Sequence, residues 1–152
     1  MREEETMYFE EIELHMSHKT VPVEITKEQI LSFGTAYDPL LLHTDEDYAK
    51  KTRFGGLIAP GVMSFMLVWS RYLKICPFVG EFLAGKSTSM EWFRPVYPGD
   101  VLTGTCEVTK LTKRGVKNGI VEVTVSVHNQ DGILVLTDVT EIIVNCRPEA
   151  VL

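Results

Sequence analysis

A chain of 152 residues has the usual size of one domain, and we predict a single domain over residues 1–152. Hydrophobic residues make up 45% of the chain and charged residues 24%, which is typical of a packed globular protein and argues against disorder or a membrane anchor. The formal net charge of -6, with no dense cluster of lysine and arginine, argues against a nucleic-acid partner.

The cysteines and the N-terminus both bear on the compartment. Cys76, Cys106 and Cys146 are odd in number and far apart, which fits neither a disulfide framework nor a zinc ribbon. We predict that they are buried thiols in a reducing environment. The acidic start MREEETMYFE has no apolar signal core, which predicts a cytoplasmic location.

The first elements are a short strand near residues 7–14 and a helix over about 26–36. Thr26 followed by Gln29 forms a capping box, in which both side chains bond to backbone groups of the first turn. Ile30, Phe33 and Tyr37 recur at helical spacing, while Gly34 weakens the last turn.

The stretch AYDPLLLHTD, residues 36–45, is predicted to be a loop. Pro39 lacks a backbone donor and biases Asp38 toward extended geometry, so the preceding helix ends here. Thr44 then resembles the N-cap of a short helix that ends near Thr52.

The glycine-rich segment FGGLIAPG leads into VMSFMLVWSRYLKI, residues 62–75. This second run is apolar on almost every side, including Val62 and Met66, and therefore predicts a helix that is buried on most sides. It is the central helix of the predicted domain.

From about residue 82 the pattern indicates β-strands. Residues 119–144 alternate apolar and polar side chains on either side of Asp131-Gly132, which predicts a hairpin with one buried face. Two further strands are separated by the turn YPGD at 97–100. A long buried helix followed by antiparallel strands predicts an α+β fold, a curved sheet wrapped around the helix, whose free edge can be covered by dimerisation.

Asp38 and His43 are the candidate catalytic pair. A carboxylate and an imidazole can jointly hold and polarise one water molecule. The leucines between them either supply an apolar wall to such a site or only anchor the loop. An Asp before Pro also commonly forms a turn, and a histidine after an apolar run is often structural, so the spacing alone leaves both interpretations open.

Gly61 opens the central helix, where unpaired N–H groups could meet an oxygen that gains negative charge. The alternative is that the glycines only permit a tight turn. His15 and His18 form H-x-x-H, but no third ligand lies near them in sequence, so we predict no metal site and interpret both as surface residues. His128 falls on the polar face of its strand.

Four segments resemble the MaoC-like dehydratase family, which includes the (R)-specific enoyl-CoA hydratases of the hotdog fold. They are YDPLLLHTDEDYA, FGGLIAPG, WFRPVYPGDVLTGTCEV and VHNQDGILVLTDVTEIIV, and they span about residues 37–144 in the order found in the family. The resemblance implies a single hotdog fold and a hydro-lyase that adds water to a trans-2-enoyl thioester. Asp38 and His43 match the water-activating pair, and Gly61 matches the glycine whose N–H binds the thioester carbonyl.

The same resemblance implies that no cofactor is needed and that the product is a (3R)-3-hydroxyacyl thioester of CoA or of an acyl carrier protein. It also implies a homodimer or a higher oligomer built from dimers. Arg94 could reach a CoA phosphate, with a structural salt bridge as the alternative.

The sequence departs from the family in the candidate substrate-binding residues. Many relatives have His-Gly where this chain has Pro60-Gly61. Some place a helical serine where the ungapped match here is Trp69, and Ser64 and Ser70 are possible substitutes for that serine. Trp69 is expected to shorten the acyl pocket and to favour small acyl groups.

Two other functions fit a hotdog protein. An acyl-CoA thioesterase would release free CoA, whereas the spacing of Asp38 and His43 favours hydration. A non-catalytic acyl-CoA-binding or regulatory protein would bind its ligand tightly without turnover.

Overall fold

The computed structural model describes residues 6–149. The helices are α1 (Lys27–Tyr37), α2 (Leu41–Thr44), α3 (Glu46–Lys50) and α4 (Gly61–Tyr72). The strands are β1 (Ser17–Lys19), β2 (Val23–Glu24), β3 (Phe82–Trp92), β4 (Val101–Arg114), β5 (Asn118–His128) and β6 (Leu134–Asn145). Short 3-10 turns lie at Phe9–Glu11 and Val79–Glu81.

The strands form one antiparallel sheet in the order β1-β4-β5-β6-β3, and β2 pairs with the start of β4. The predicted hairpin is confirmed as β5 and β6, whose turn places Gly132 at a φ of 72°. The turn at 97–100 is also confirmed, since Gly99 has a φ of 89° and Asp100 accepts a hydrogen bond from the N–H of Tyr97 at 2.9 Å. β3 pairs only with β6 within the described residues and ends the sheet.

α4 packs against the inner face of the sheet, and this contact forms the core. Alternate residues of β4, β5 and β6 are buried, among them Leu102, Cys106, Val108, Val121, Val123, Val125, Val127, Leu136, Ile142 and Val144. Gly104 of β4 lies directly under Val68, because a Cβ at Gly104 would be 2.4 Å from Val68 Cγ1. A long helix covered by an antiparallel sheet confirms the predicted α+β hotdog fold.

α1 begins as predicted. Thr26 Oγ1 accepts a hydrogen bond from the N–H of Gln29 at 3.2 Å, and Gln29 Oε1 accepts one from the N–H of Thr26 at 3.0 Å. Ile30 and Gly34 form the buried side of the helix. Tyr37 does not continue this buried face, because it is 77% exposed and its ring lies at a tilt of 57° to the ring of Phe33.

Other local predictions need correction. Residues 41–44 form the short helix α2 inside the predicted loop, and Asp45, rather than Thr44, caps α3 by accepting from the N–H of Tyr48. Residues 7–14 contain a 3-10 turn instead of a strand, because the ring of Phe9 packs against Gly119 of β5.

The central helix is shorter and less enclosed than its sequence predicts. α4 ends at Tyr72, and Val62 and Met66 on one side of it are about half exposed. The predicted burial of the three cysteines is confirmed. In residues 6–149, each helix is too short or too polar to cross a bilayer. The cytoplasmic location and the single domain stay predictions.

Candidate active site

A cavity of about 500 Å³ opens at the N-terminus of α4. The segment 53–61 forms one wall, and residues 92–96, which begin at the last residue of β3, form the opposite wall. Ala59 N–H donates to the Val96 carbonyl at 2.7 Å, and the Tyr97 hydroxyl donates to the Phe54 carbonyl at 2.8 Å. These bonds hold the two walls together around the side chains of Asp38 and His43.

His43 is held by the glycine-rich segment. It lies in α2, is only 6% exposed, and its Nδ1 is 2.6 Å from the carbonyl oxygen of Ile58. The Ile58 N–H in turn donates to the Leu42 carbonyl at 3.1 Å. Because a carbonyl oxygen can only accept, Nδ1 carries the hydrogen, and Nε2 of the neutral ring is left as a proton acceptor.

Asp38 ends α1 and faces that acceptor. Its N–H donates to the Gly34 carbonyl at 3.0 Å, and its own carbonyl accepts from the N–H of Leu40 at 2.8 Å. Asp38 Oδ2 then lies 3.4 Å from His43 Nε2. The side chain of Asp38 is 40% exposed, so a water molecule entering the cavity can contact both groups. The structure therefore brings together the two side chains that were predicted to share a site.

Gly61 supplies the third predicted element. The N-cap residue Pro60 makes no side-chain hydrogen bond to α4, so the first N–H groups of the helix have no cap. Gly61 lines the cavity, and so does Ser64, whose hydroxyl lies 3.5 Å from the Pro60 carbonyl. The backbone donors and the positive end of the helix dipole thus meet the cavity that contains Asp38 and His43.

Of the two interpretations of the leucines, the structure does not support an apolar wall. Leu40 and Leu41 are about half exposed, and neither they nor Leu42 line the cavity. Their alternative role, anchoring the loop, agrees with the Ile58 to Leu42 hydrogen bond. The apolar wall comes from other parts of the chain, namely Phe54, Ile58, Val62, Trp92, Phe93 and Val96.

Two of the candidate substrate-binding residues do not line the cavity. Trp69 is partly buried and packs against the core between Phe65 and Tyr72, with ring centroids 5.6 Å and 5.3 Å away, and Pro60 precedes the cavity-lining Gly61. Ser70 donates to the Leu67 carbonyl at 2.6 Å and is also outside the lining. The expectation that Trp69 shortens the acyl pocket stays a prediction.

Arg94 lies at the cavity and is exposed. It forms no salt bridge within the described residues, so the alternative role of Arg94, a structural salt bridge, lacks support. Arg53 and Trp92 line the same cavity and were not predicted from the sequence. Both residues could have been identified from their positions at two motifs, because Arg53 immediately precedes FGGLIAPG and Trp92 begins WFRPVYPGD.

The remaining histidines lie elsewhere. His15 is exposed and its Nδ1 is 3.5 Å from Glu107 Oε2, while His18 and His128 are partly buried in β1 and β5. Across residues 6–149, no three side chains of the metal-binding types gather into a possible ion site.

The fold and the cavity together define a class of protein. A helix within an antiparallel sheet, with a carboxylate and an imidazole beside the helix N-terminus, is a hotdog protein of the dehydratase type. Residues 14–138 match the family model described as "FAS1-like, dehydratase domain region". The chain belongs to this family of MaoC-like dehydratases.

Individual relatives are similar to this chain over most of its length. The protein YdeM of Bacillus subtilis, described as uncharacterized, is 30% identical over 125 residues, which cover 82% of this chain and 89% of YdeM. A crystal structure described as a monoamine oxidase regulatory protein from Archaeoglobus superposes with a TM-score of 0.88 at 29% identity, over 94% of this chain and 97% of that one. The MaoC-like dehydratase from Rhodospirillum rubrum superposes with a TM-score of 0.85 at 24% identity, over 94% and 99%.

Proposed function

We propose that this protein is a hydro-lyase that adds water reversibly to a trans-2-enoyl thioester and forms a (3R)-3-hydroxyacyl thioester. The observation that supports this most directly is the 3.4 Å approach of Asp38 Oδ2 to His43 Nε2 beside the uncapped start of α4. Membership of a dehydratase family agrees with it. The reaction as proposed uses no cofactor or metal, and CoA or an acyl carrier enters only as part of the substrate.

His43 is the proton acceptor in this proposal. The Ile58 carbonyl fixes the hydrogen on Nδ1, so Nε2 removes a proton from water as the water oxygen bonds to C3 of the enoyl chain. The electron pair of the C2=C3 bond moves toward the thioester carbonyl and gives an enolate. Transfer of the same proton from Nε2 to C2 then restores the carbonyl, so that H and OH both come from one water.

Asp38 and Gly61 stabilise the charges that arise on this path. Asp38 orients the water and lies 3.4 Å from the imidazolium that forms at His43. The Gly61 N–H donates to the thioester oxygen, whose negative charge is largest in the enolate. Dehydration follows the same steps in reverse.

The thioester carrier is expected to lie along the mouth of the cavity. Arg94 and Arg53 are exposed there, and the described residues place no carboxylate within ion-pair distance of either guanidinium. In a chain with a net charge of -6, two arginines at one opening favour a phosphate ligand. We assign to them the phosphates of CoA or of a carrier-protein pantetheine arm.

Hydration of crotonyl-CoA by Asp38→Asn and His43→Gln tests the proposal. Both substitutions preserve side-chain volume approximately, and we expect kcat to fall by about 100-fold to 10,000-fold, the usual contribution of a general acid or base. Asp45→Asn is the matched control, because Asn serves as an N-cap as well as Asp and residue 45 is outside the cavity lining. Rates near wild type in either cavity variant would refute the assignment.

Product analysis separates the alternatives. Release of free CoA without formation of a 3-hydroxyacyl product would establish a thioesterase. Saturable binding of acyl-CoA with no product would establish a non-catalytic binding protein. This second outcome is worth testing because the similar Archaeoglobus protein is described as regulatory.

We also propose that the protein is a homodimer, or a larger assembly of dimers, formed along β3. The strand is exposed along most of its length, and its residue Leu83 is 58% exposed. An unpaired strand edge with an exposed apolar residue favours association with a second copy. Light scattering should give twice the monomer mass or an even multiple of it, and Leu83→Arg should lower this mass, whereas a wild-type monomer would contradict the proposal.

A further inference from the structure

The indole of Trp92 packs against the first residue of α4 with the face of its nitrogen-containing ring. A Cβ added to Gly61 would be 2.1 Å from Trp92 Nε1, 2.4 Å from Cε2 and 2.7 Å from Cδ1. Those three atoms are the indole nitrogen and the two carbons bonded to it, and their similar distances place the glycine over the face of the ring at the nitrogen. The indole N–H, which lies in the plane of the ring, therefore starts beside the backbone of Gly61, the proposed donor to the thioester oxygen, and does not point at it.

Trp92 also faces the proposed reaction centre. It lines the cavity together with Asp38 and His43, and its side chain is 52% exposed, so a ligand can reach it. Within residues 6–149 its indole N–H makes no hydrogen bond, whereas the Nδ1–H of His43 already has a backbone acceptor. An indole N–H can only donate, so its natural partner is an oxygen supplied by the ligand.

We infer that Trp92 Nε1–H is a second donor to the thioester oxygen, beside the N–H of Gly61. This inference rests on the proposed hydration, because the oxygen becomes most negative in the enolate. Sites that stabilise such an oxygen gain most from donors that are fixed before the reaction. β3 fixes this one, since Trp92 is its last residue and pairs with Leu136 of β6.

The close approach also explains why residue 61 is glycine. Any larger residue would force the indole away from the helix, because the displaced atoms belong to a rigid ring. In this interpretation residue 61 is glycine because only glycine lets the two N–H groups lie side by side. A left-handed backbone is not the reason, because the φ of Gly61 is not in that region.

Trp92→Phe is the central experiment, because it keeps an aromatic ring at the end of β3 and removes the N–H donor together with the second ring of the indole. We expect kcat for crotonyl-CoA hydration to fall by about 100-fold, the usual effect of removing one such donor, with a much smaller change in KM. Tyr48→Phe is the control, since it removes a polar group from an exposed aromatic residue outside the cavity. An unchanged kcat in Trp92→Phe would overturn the inference and leave the hydration itself standing.

A spectroscopic measurement on the wild-type protein gives an independent test. The chain has two tryptophans, so its NMR spectrum should show two indole N–H signals, and the one absent from Trp92→Phe belongs to Trp92. Butyryl-CoA, which has the thioester carbonyl but no double bond, should move that signal downfield. Free CoA, which lacks the carbonyl, should not.

The two proposals can fail separately in this design. A downfield shift with butyryl-CoA in a protein that hydrates no enoyl thioester would support the donor and reject the hydratase. An indole signal that stays in place at saturating butyryl-CoA would reject the donor, whatever the enzyme turns over.

Discussion

Gly34 of α1 lies directly against His43, at its Cβ and its carbonyl oxygen. A Cβ added to Gly34 would lie 3.0 Å from His43 Cβ and 3.2 Å from its carbonyl oxygen. The glycine that weakens α1 therefore has a second role, because it lets α2 come close enough for His43 to reach Asp38, which lies four residues after Gly34.

Gly34→Ala tests this relationship. The new methyl group must displace His43 by a few tenths of an ångström. We expect kcat to fall by about tenfold, because small displacements of a catalytic group lower the rate strongly. Stability should change little, because the gain of about 1 kcal/mol in helix propensity offsets the contact strain. Thr35→Ala is the control, since it changes an exposed neighbour in the same helix. Equal kcat values in the two variants would contradict the prediction.

The parts of the fold that were predictable from sequence depend on local chemistry. The capping box of Thr26 and Gln29 and the turns at Gly99 and Gly132 are bonds or dihedrals within a few residues. The alternation in β5 and β6 reports burial directly, because successive side chains of a strand point to opposite faces. Motif order was enough to place Asp38 and His43 in one cavity.

The parts that were missed depend on distant contacts. The Ile58 carbonyl fixes the tautomer of His43, and this hydrogen bond joins residues 15 positions apart that show no sequence pattern linking them. The contact of Trp92 with Gly61 joins the end of β3 to the start of α4. The strand predicted at residues 7–14 failed for the same reason, since a strand needs a partner and Phe9 packs on Gly119 instead.

Gly104→Ala should destabilise the fold. Its Cβ would lie 2.4 Å from Val68 Cγ1, so the helix and the sheet would have to separate locally. We expect a loss of about 1–3 kcal/mol in the free energy of unfolding, the usual cost of overpacking a core. Urea denaturation measures it. Gly85→Ala in β3 is the matched control, because nothing lies within 4 Å of its added methyl group.

Stability should be unchanged or slightly higher in the control, since alanine restricts the unfolded chain more than glycine does. Similar losses of unfolding free energy in Gly104→Ala and Gly85→Ala would contradict the prediction, because they would show that a methyl group at residue 104 fits beside Val68.

Asp138 is a fully buried carboxylate within the sheet. The hydroxyls of Thr88 and Thr140 each donate to one of its oxygens. Asp138→Ala removes both acceptors, and we expect the free energy of unfolding to fall by about 1–3 kcal/mol, the cost of unsatisfied buried polar groups. Asp138→Asn should lose less, because its amide oxygen still accepts from one threonine. A smaller loss in Asp138→Ala than in Asp138→Asn would contradict this account of the cluster.

Cys106 makes stability sensitive to alkaline pH. Burial in β4 disfavours the thiolate and raises the pKa of Cys106 to about 12, from an unfolded value near 9.0. Between these values the unfolded chain loses the thiol proton while the folded chain keeps it. The contribution of Cys106 is therefore complete below pH 9 and is lost as the pH rises toward 12. Chemical denaturation between pH 8 and pH 11 should show a flatter decline for Cys106→Ala than for wild type.

Val125→Ala isolates the titration from the lost volume. Val125 pairs with Cys106 across β4 and β5 and is equally buried, but it has no ionisable group. Its truncation should lower the free energy of unfolding by the same amount at every pH, because only packing is removed. If the unfolding free energy of Cys106→Ala also declined in parallel with that of wild type across the alkaline range, the thiol of Cys106 would not be the group that causes the decline. A flatter slope in Cys106→Ala alone assigns the alkaline sensitivity to a thiol that the fold keeps protonated.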